Sequence, residues 1–167
     1  MRYIFILMML LFVSCADVIN FIDEYGTVEE ESGAEYSYNM PHGVYDLKSA
    51  FLYVSSMRYV SDSVAHGERE FWQAPRETIA RGTGDCEDFA ILFSSLADKM
   101  GYSTAIQLGN GHAISLINGV QYDPSPIWTS YGFIPAEFAP DRTKYDVEHV
   151  FYIDKAISRA LRLYDTY

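Results

Sequence analysis

Two stretches of the chain carry apolar residues at helical spacing, and a third, later stretch carries them at the spacing of strands. After Asp46, a plausible N-cap, Leu47, Ala50, Phe51, Val54 and Met57 predict an amphipathic first helix of about five turns, closed at Gly67. Pro75 suits a first helical position and Gly82 and Gly84 break the pattern, which gives a short helix and a tight turn. From Cys86 to Met100, Phe89, Ala90, Phe93, Leu96, Ala97 and Met100 return every three or four residues, and Gly101 supplies the stop. Beyond it, "STAIQLG" and "HAISLI" are strand-like, and the Asn118-Gly119 pair signals a hairpin into "VQYD". A Pro-rich loop from Pro124 to Pro140, a strand "VEHVFYI" and a terminal helix from Ala156 to Tyr164 complete the pattern. Helices first and strands afterwards predict an α+β domain, its antiparallel sheet packed on the helix that starts at Cys86.

The chain ends add a location. Residues 1–15, "MRYIFILMMLLFVSC", run apolar from Ile4 to Val13 behind Arg2, too short for a membrane span and shaped like a secretory signal. The stretch "LFVSC" resembles a bacterial lipobox, which implies lipidation at Cys15, export and attachment to a bilayer in the cell envelope. Residues 16–43 are polar and acidic without a sustained period, and they read as a tether whose Phe21, Tyr25, Tyr36 and Tyr38 can dock on the domain of residues 44–167. With the signal gone, 11 Lys and Arg face 23 Asp and Glu, a net charge of −12. That excludes nucleic acid and anionic lipid headgroups as partners, because phosphate contacts need clustered bases. About 150 residues, 49% hydrophobic overall, make one cored domain, expected to be monomeric.

Processing at Cys15 leaves Cys86 as the remaining thiol, so it is free to react. It stands in "RGTGDCEDFA", where Asp85 and Asp88 suit a reciprocal helix cap and Cys86 is the first helical residue. The helix end favours thiolate by ~0.3–1 kcal/mol, whereas a carboxylate at ~5 Å and an effective dielectric of ~20 opposes it by about 3 kcal/mol. A reactive Cys86 therefore needs a cation, either an imidazolium or an ion held by the acids.

Strand register supplies the imidazole. With Asn118 and Gly119 as the loop, Ile117 faces Val120 and Ile114 faces Asp123, which puts Asp123 diagonally across from His112 on one face. Such a carboxylate can orient the ring and stabilise its charged form. Taken singly, these residues favour a small core cysteine and surface hairpin neighbours; their coincidence reverses that and favours a thiol site. His42, His66 and His149 lack the spacing of a zinc site.

The order "GDCEDFA", "HAI", "YDP" resembles the transglutaminase-like, papain-like fold. The run "WQAPRETIARGTGDCEDFAILFSSLADKMGY" resembles more specifically the bacterial transglutaminase-like cysteine peptidases, over about residues 71–126. The resemblance implies Cys86 as nucleophile, His112 as general base and acid, and Asp123 as orienting residue, with a protein or peptide substrate at the envelope. It implies calcium for Asp85 and Glu87, although the thiol chemistry itself needs no cofactor. For the oxyanion, the Cys86 N–H is the natural first donor, and Trp72 and Gln73 are candidates for the second. Peptidase, deamidase and transglutaminase share this triad, and a catalytically silent binding module shares the fold. Acids rather than Ser and Gly after Cys86 disfavour a cell-wall amidase of the other thiol-peptidase lineage.

Overall fold

The computed structural model describes residues 38–143 and 146–164; the signal segment, Cys15 and residues 16–37 of the expected tether lie outside the described residues. The fold is mixed α+β with an antiparallel four-stranded sheet. Its helices are α1 (Leu47–Ser55), α2 (Asp62–Ala65), α3 (Pro75–Arg81), α4 (Cys86–Lys99) and α5 (Ile153–Tyr164). Strands β3 (Thr104–Gly109), β4 (His112–Ile117), β5 (Val120–Tyr122) and β8 (Val147–Tyr152) form that sheet in the order β5-β4-β3-β8. Two small ribbons stand apart from it: β1 (Arg58–Tyr59) with β2 (Thr83–Gly84), parallel, and β6 (Ile127–Thr129) with β7 (Gly132–Ile134), antiparallel.

Helix α4 is the centre of the molecule, buried continuously from Glu87 to Ala97. A helix covered all round needs apolar residues on every side or satisfied polar ones, and α4 has both. Phe89, Leu92, Phe93 and Leu96 pack against Ala50, Phe51 and Val54 of α1, and Phe51 and Phe93 meet edge to face at 5.4 Å. On the other side Ala90 and Ile91 pack with Ile106, Ala113 and Trp72, and with Ile153, Ala156 and Ala160 of α5. Ser94 and Ser95 are satisfied in turn, by the Ala105 carbonyl and by the Tyr38 hydroxyl (2.8 Å). Tyr38, at the end of the expected tether, docks there beneath the Lys99 ammonium, 4.4 Å from its ring centre.

The expected five-turn first helix is corrected to two pieces. Helix α1, capped by the Asp46–Ser49 box, ends at Ser55, and residues 58–60 leave helical geometry to pair with the turn before Cys86. The Arg58 N–H goes to the Gly82 carbonyl (3.2 Å) and the Val60 N–H to the Gly84 carbonyl (2.8 Å). Those tertiary bonds replace the helical ones, and a second start at Ser61 opens α2. Likewise the loop expected from Pro124 to Pro140 holds the β6–β7 hairpin, and the terminal helix begins three residues early, at Ile153. The Asn118-Gly119 turn has the expected form, φ 51° and 77°, and an unanticipated Asn110-Gly111 pair (56°, 67°) closes β3 onto β4 in the same way. Among the described residues no helix is long and apolar enough to cross a membrane.

Candidate active site

The loop into α4 is built for close approach. Gly82 ends α3 in the left-handed region, φ 62°. At Gly84 a Cβ would lie 2.7 Å from the Asp88 Cβ, so a larger residue cannot stand there while Asp88 keeps its place. Asp88 is fully buried because it gathers donors: the Asp85 N–H at 3.2 Å, the return half of the capping box, the Gln73 N–H at 2.7 Å and the Gln73 amide. Burial still pushes its carboxyl up to about 8. These bonds fix Cys86 as the first residue of α4, where its N–H has no helical acceptor.

Helix α4 crosses beneath the sheet so that its start meets the edge of β4. The β4–β5 register is Ile117 to Val120, Leu116 to Gln121 and Ser115 to Tyr122, as the Asn-Gly turn predicts. Ala113 faces Leu108 one pair beyond the Gly109–His112 hairpin closure, a position at which neighbouring backbone groups point outward. Since β5 ends at Tyr122, that outward Ala113 N–H is open to the Cys86 sulfur, and it favours the thiolate. The thiol thus lies against the residue that follows His112. His112 Nε2 is 2.8 Å from Asp123 Oδ2, and Asp123 Oδ1 accepts from the Ser125 N–H at 2.9 Å. The hydrogen bond to Asp123 raises the imidazole above its ordinary value; burial opposes it and the Asp123 charge adds to it.

The acids work the other way on the thiol, as the sequence suggests. Burial pushes Cys86 far above the ordinary thiol range, followed by the charge of Glu87 and the 3.1 Å Sγ–H hydrogen bond to Glu87 Oε2. The structure adds a third acid, Asp62 of α2, which sequence reasoning missed because it falls in the supposed long helix. One oxygen from each of Asp62, Asp85 and Glu87 lies within 4.8 Å of the others, and all three residues are buried. Burial raises Asp62 to about 6 and, with the Glu87 charge, Asp85 to about 8; Glu87 is raised too, chiefly by burial. Asp62 Oδ1 and Asp85 Oδ1 are buried without a hydrogen-bond partner. Three converging carboxylates with orphaned oxygens suit a hard divalent cation such as Ca²⁺.

Trp72 and Gln73 each donate to a carboxylate. The indole N–H reaches Glu70 (3.2 Å) while the ring packs edge-on against Phe151, and the Gln73 amide serves Asp88. Tyr59 of β1 also borders the site. It pairs with Gly84, its ring lies against Phe89 of α4, and burial, followed by the charge of Cys86, raises its phenol. The rings of His66 and His149 pack on aromatic neighbours, His66 stacking on Phe71 and His149 leaning on Phe151.

No protein-family profile and no curated protein matches the chain. Among solved structures it is similar to LapG of Legionella pneumophila, at 18% identity over 72% of each chain and a TM-score of 0.39. A likeness that slight carries neither fold nor chemistry, so the functional reading rests on the geometry of the chain itself.

Proposed function

We propose that this chain is a transglutaminase-like thiol hydrolase, exported and held at the cell envelope by a lipid on Cys15, that cleaves a peptide or side-chain amide of a protein. The observation that carries the reading is the His112–Asp123 pair, 2.8 Å apart, at the strand edge where the Ala113 N–H meets the Cys86 sulfur. His112 takes the proton from Cys86, and the sulfur attacks the amide carbonyl carbon. The Cys86 N–H accommodates the oxyanion at the helix start. The imidazolium, steadied by Asp123, then gives its proton to the leaving nitrogen as the C–N bond breaks, leaving a thioester. Water activated by the same imidazole releases the acid and frees the thiol. The chain acts as a monomer.

Asp62, Asp85 and Glu87 would hold calcium. A divalent ion there supplies positive charge that offsets the carboxylates' opposition to thiolate. The strongly raised thiol of the metal-free site also favours a second reading, a silent binding module, in which the sulfur stays protonated.

The test is product chemistry. Full-length protein with calcium, in ¹⁸O water with a peptide mixture and methylamine, should yield cleaved peptides carrying ¹⁸O at the new carboxylate, and Cys86→Ser should yield none. Methylamine on glutamine would assign transfer, and ¹⁸O on glutamate formed from glutamine would assign deamidation. Absence of every product would remove the enzyme and leave the binding module.

A further inference from the structure

The β6–β7 hairpin exposes an aromatic face that packing within the described residues covers only in part. Trp128 and Phe133 pair across it, rings edge to face at 4.8 Å, with Trp128 70% exposed. An isolated two-stranded hairpin is marginal in water, and apolar side chains presented to solvent commonly mark a binding surface.

Its place in the chain says which surface. The hairpin leaves the body four residues after Asp123 and is caught again where the Ala136 N–H meets the Ser55 hydroxyl. Between these ends Phe133 stacks on Tyr59, centroids 5.1 Å apart and planes 21° apart. Tyr59 is paired with Gly84, two residues before Cys86, and its phenol is influenced by Cys86, Asp85, Glu87 and Asp62. Ring contacts thus link the hairpin that follows Asp123 to Tyr59, on the strand that pairs with the loop before the nucleophile. Beside it, Arg58, Tyr59, Val60, Ser61 and Val64 line an open cleft of about 330 Å³.

We infer that Tyr59, Phe133 and Trp128 form the apolar wall of a substrate groove, and that its occupant is an extended peptide with a bulky apolar side chain next to the scissile amide. This rests on the thiol-hydrolase reading. The link through Tyr59 to the loop before the thiol argues for substrate over other occupants. Glycine at the same position would leave Trp128 exposed, so selection is by burial of side-chain area.

Two peptidyl chloromethyl ketones that differ only in Phe against Gly next to the reactive group test it, on the full chain with calcium. The inactivation rate of each is divided by the iodoacetamide rate of the same protein, which isolates groove recognition from thiol reactivity. The wild type should prefer the Phe reagent by at least ~10-fold. Trp128→Ala and Phe133→Leu should bring the preference toward one, and Tyr131→Ala, changed at the exposed hairpin tip, should keep it. A preference near one in the wild type, or one untouched by Trp128→Ala, overturns the wall while leaving the hydrolase intact. Failure of iodoacetamide to modify Cys86 overturns the hydrolase, and the wall with it. A concentration-dependent dimer in sedimentation that Trp128→Ala abolishes would give the face to a second copy and overturn the inference.

Discussion

Cys86, His112 and Asp123 differ in how far each could be read from the chain. The Asn118-Gly119 turn fixes the register of β4 and β5, and the ladder, ending at Ser115–Tyr122, hands Asp123 on to His112 one residue later. Asp62 carried no such signal. It reaches the acids only because residues 58–60 leave the helix that their periodicity suggests, and that departure depends on hydrogen bonds to residues far along the chain. His112→Ala should slow iodoacetamide alkylation of Cys86 at pH 7 by on the order of 10-fold or more, read by mass spectrometry. Asp123→Asn should act in the same direction, because the ring loses both its orientation and its partner charge. If Asp62 is a ligand, Asp62→Asn should abolish most of the rise in melting temperature that calcium gives the wild type, with the fold unchanged by circular dichroism.

At the scale of elements, α4 was legible because its apolar residues repeat at helical steps between an Asp cap and a Gly stop, and strands β3, β4, β5 and β8 because their composition and turns agree. The β1–β2 and β6–β7 ribbons were not, since two- and three-residue strands are too short for any period to show. They nevertheless carry Tyr59, Phe133 and Trp128 to the site. The tight seat of Asp88 against Gly84 gives this scale its test. Gly84→Ala should destabilise the domain by ~1–3 kcal/mol in urea, because the new methyl overlaps Asp88 and the capping box must move. Phe93→Ala, which opens a hole between α1 and α4, should cost ~3–5 kcal/mol.

For the molecule as a whole, the buried acids tie stability to pH and to metal. Asp62, Asp85 and Asp88 hold their protons to about 6, 8 and 8 when folded, and release them near ~3.9 when unfolded. Between about pH 4 and pH 8 the folded chain therefore binds more protons than the unfolded one, so stability falls as pH rises. In chelator the domain should melt at a lower temperature at pH 8 than at pH 5, and calcium should narrow the gap. The start of one helix carries both the thiol and two of the acids, so the sulfur reports on metal and histidine together. The most direct measurement is the pH profile of Cys86 alkylation by iodoacetamide, with calcium and with chelator, in wild type and His112→Ala. With calcium the thiol should titrate below the ordinary ~8.5, shift upward in chelator and lose its low-pH reactivity in His112→Ala. A thiol that titrates at or above that value under every condition, indifferent to His112, would contradict the thiol-hydrolase reading.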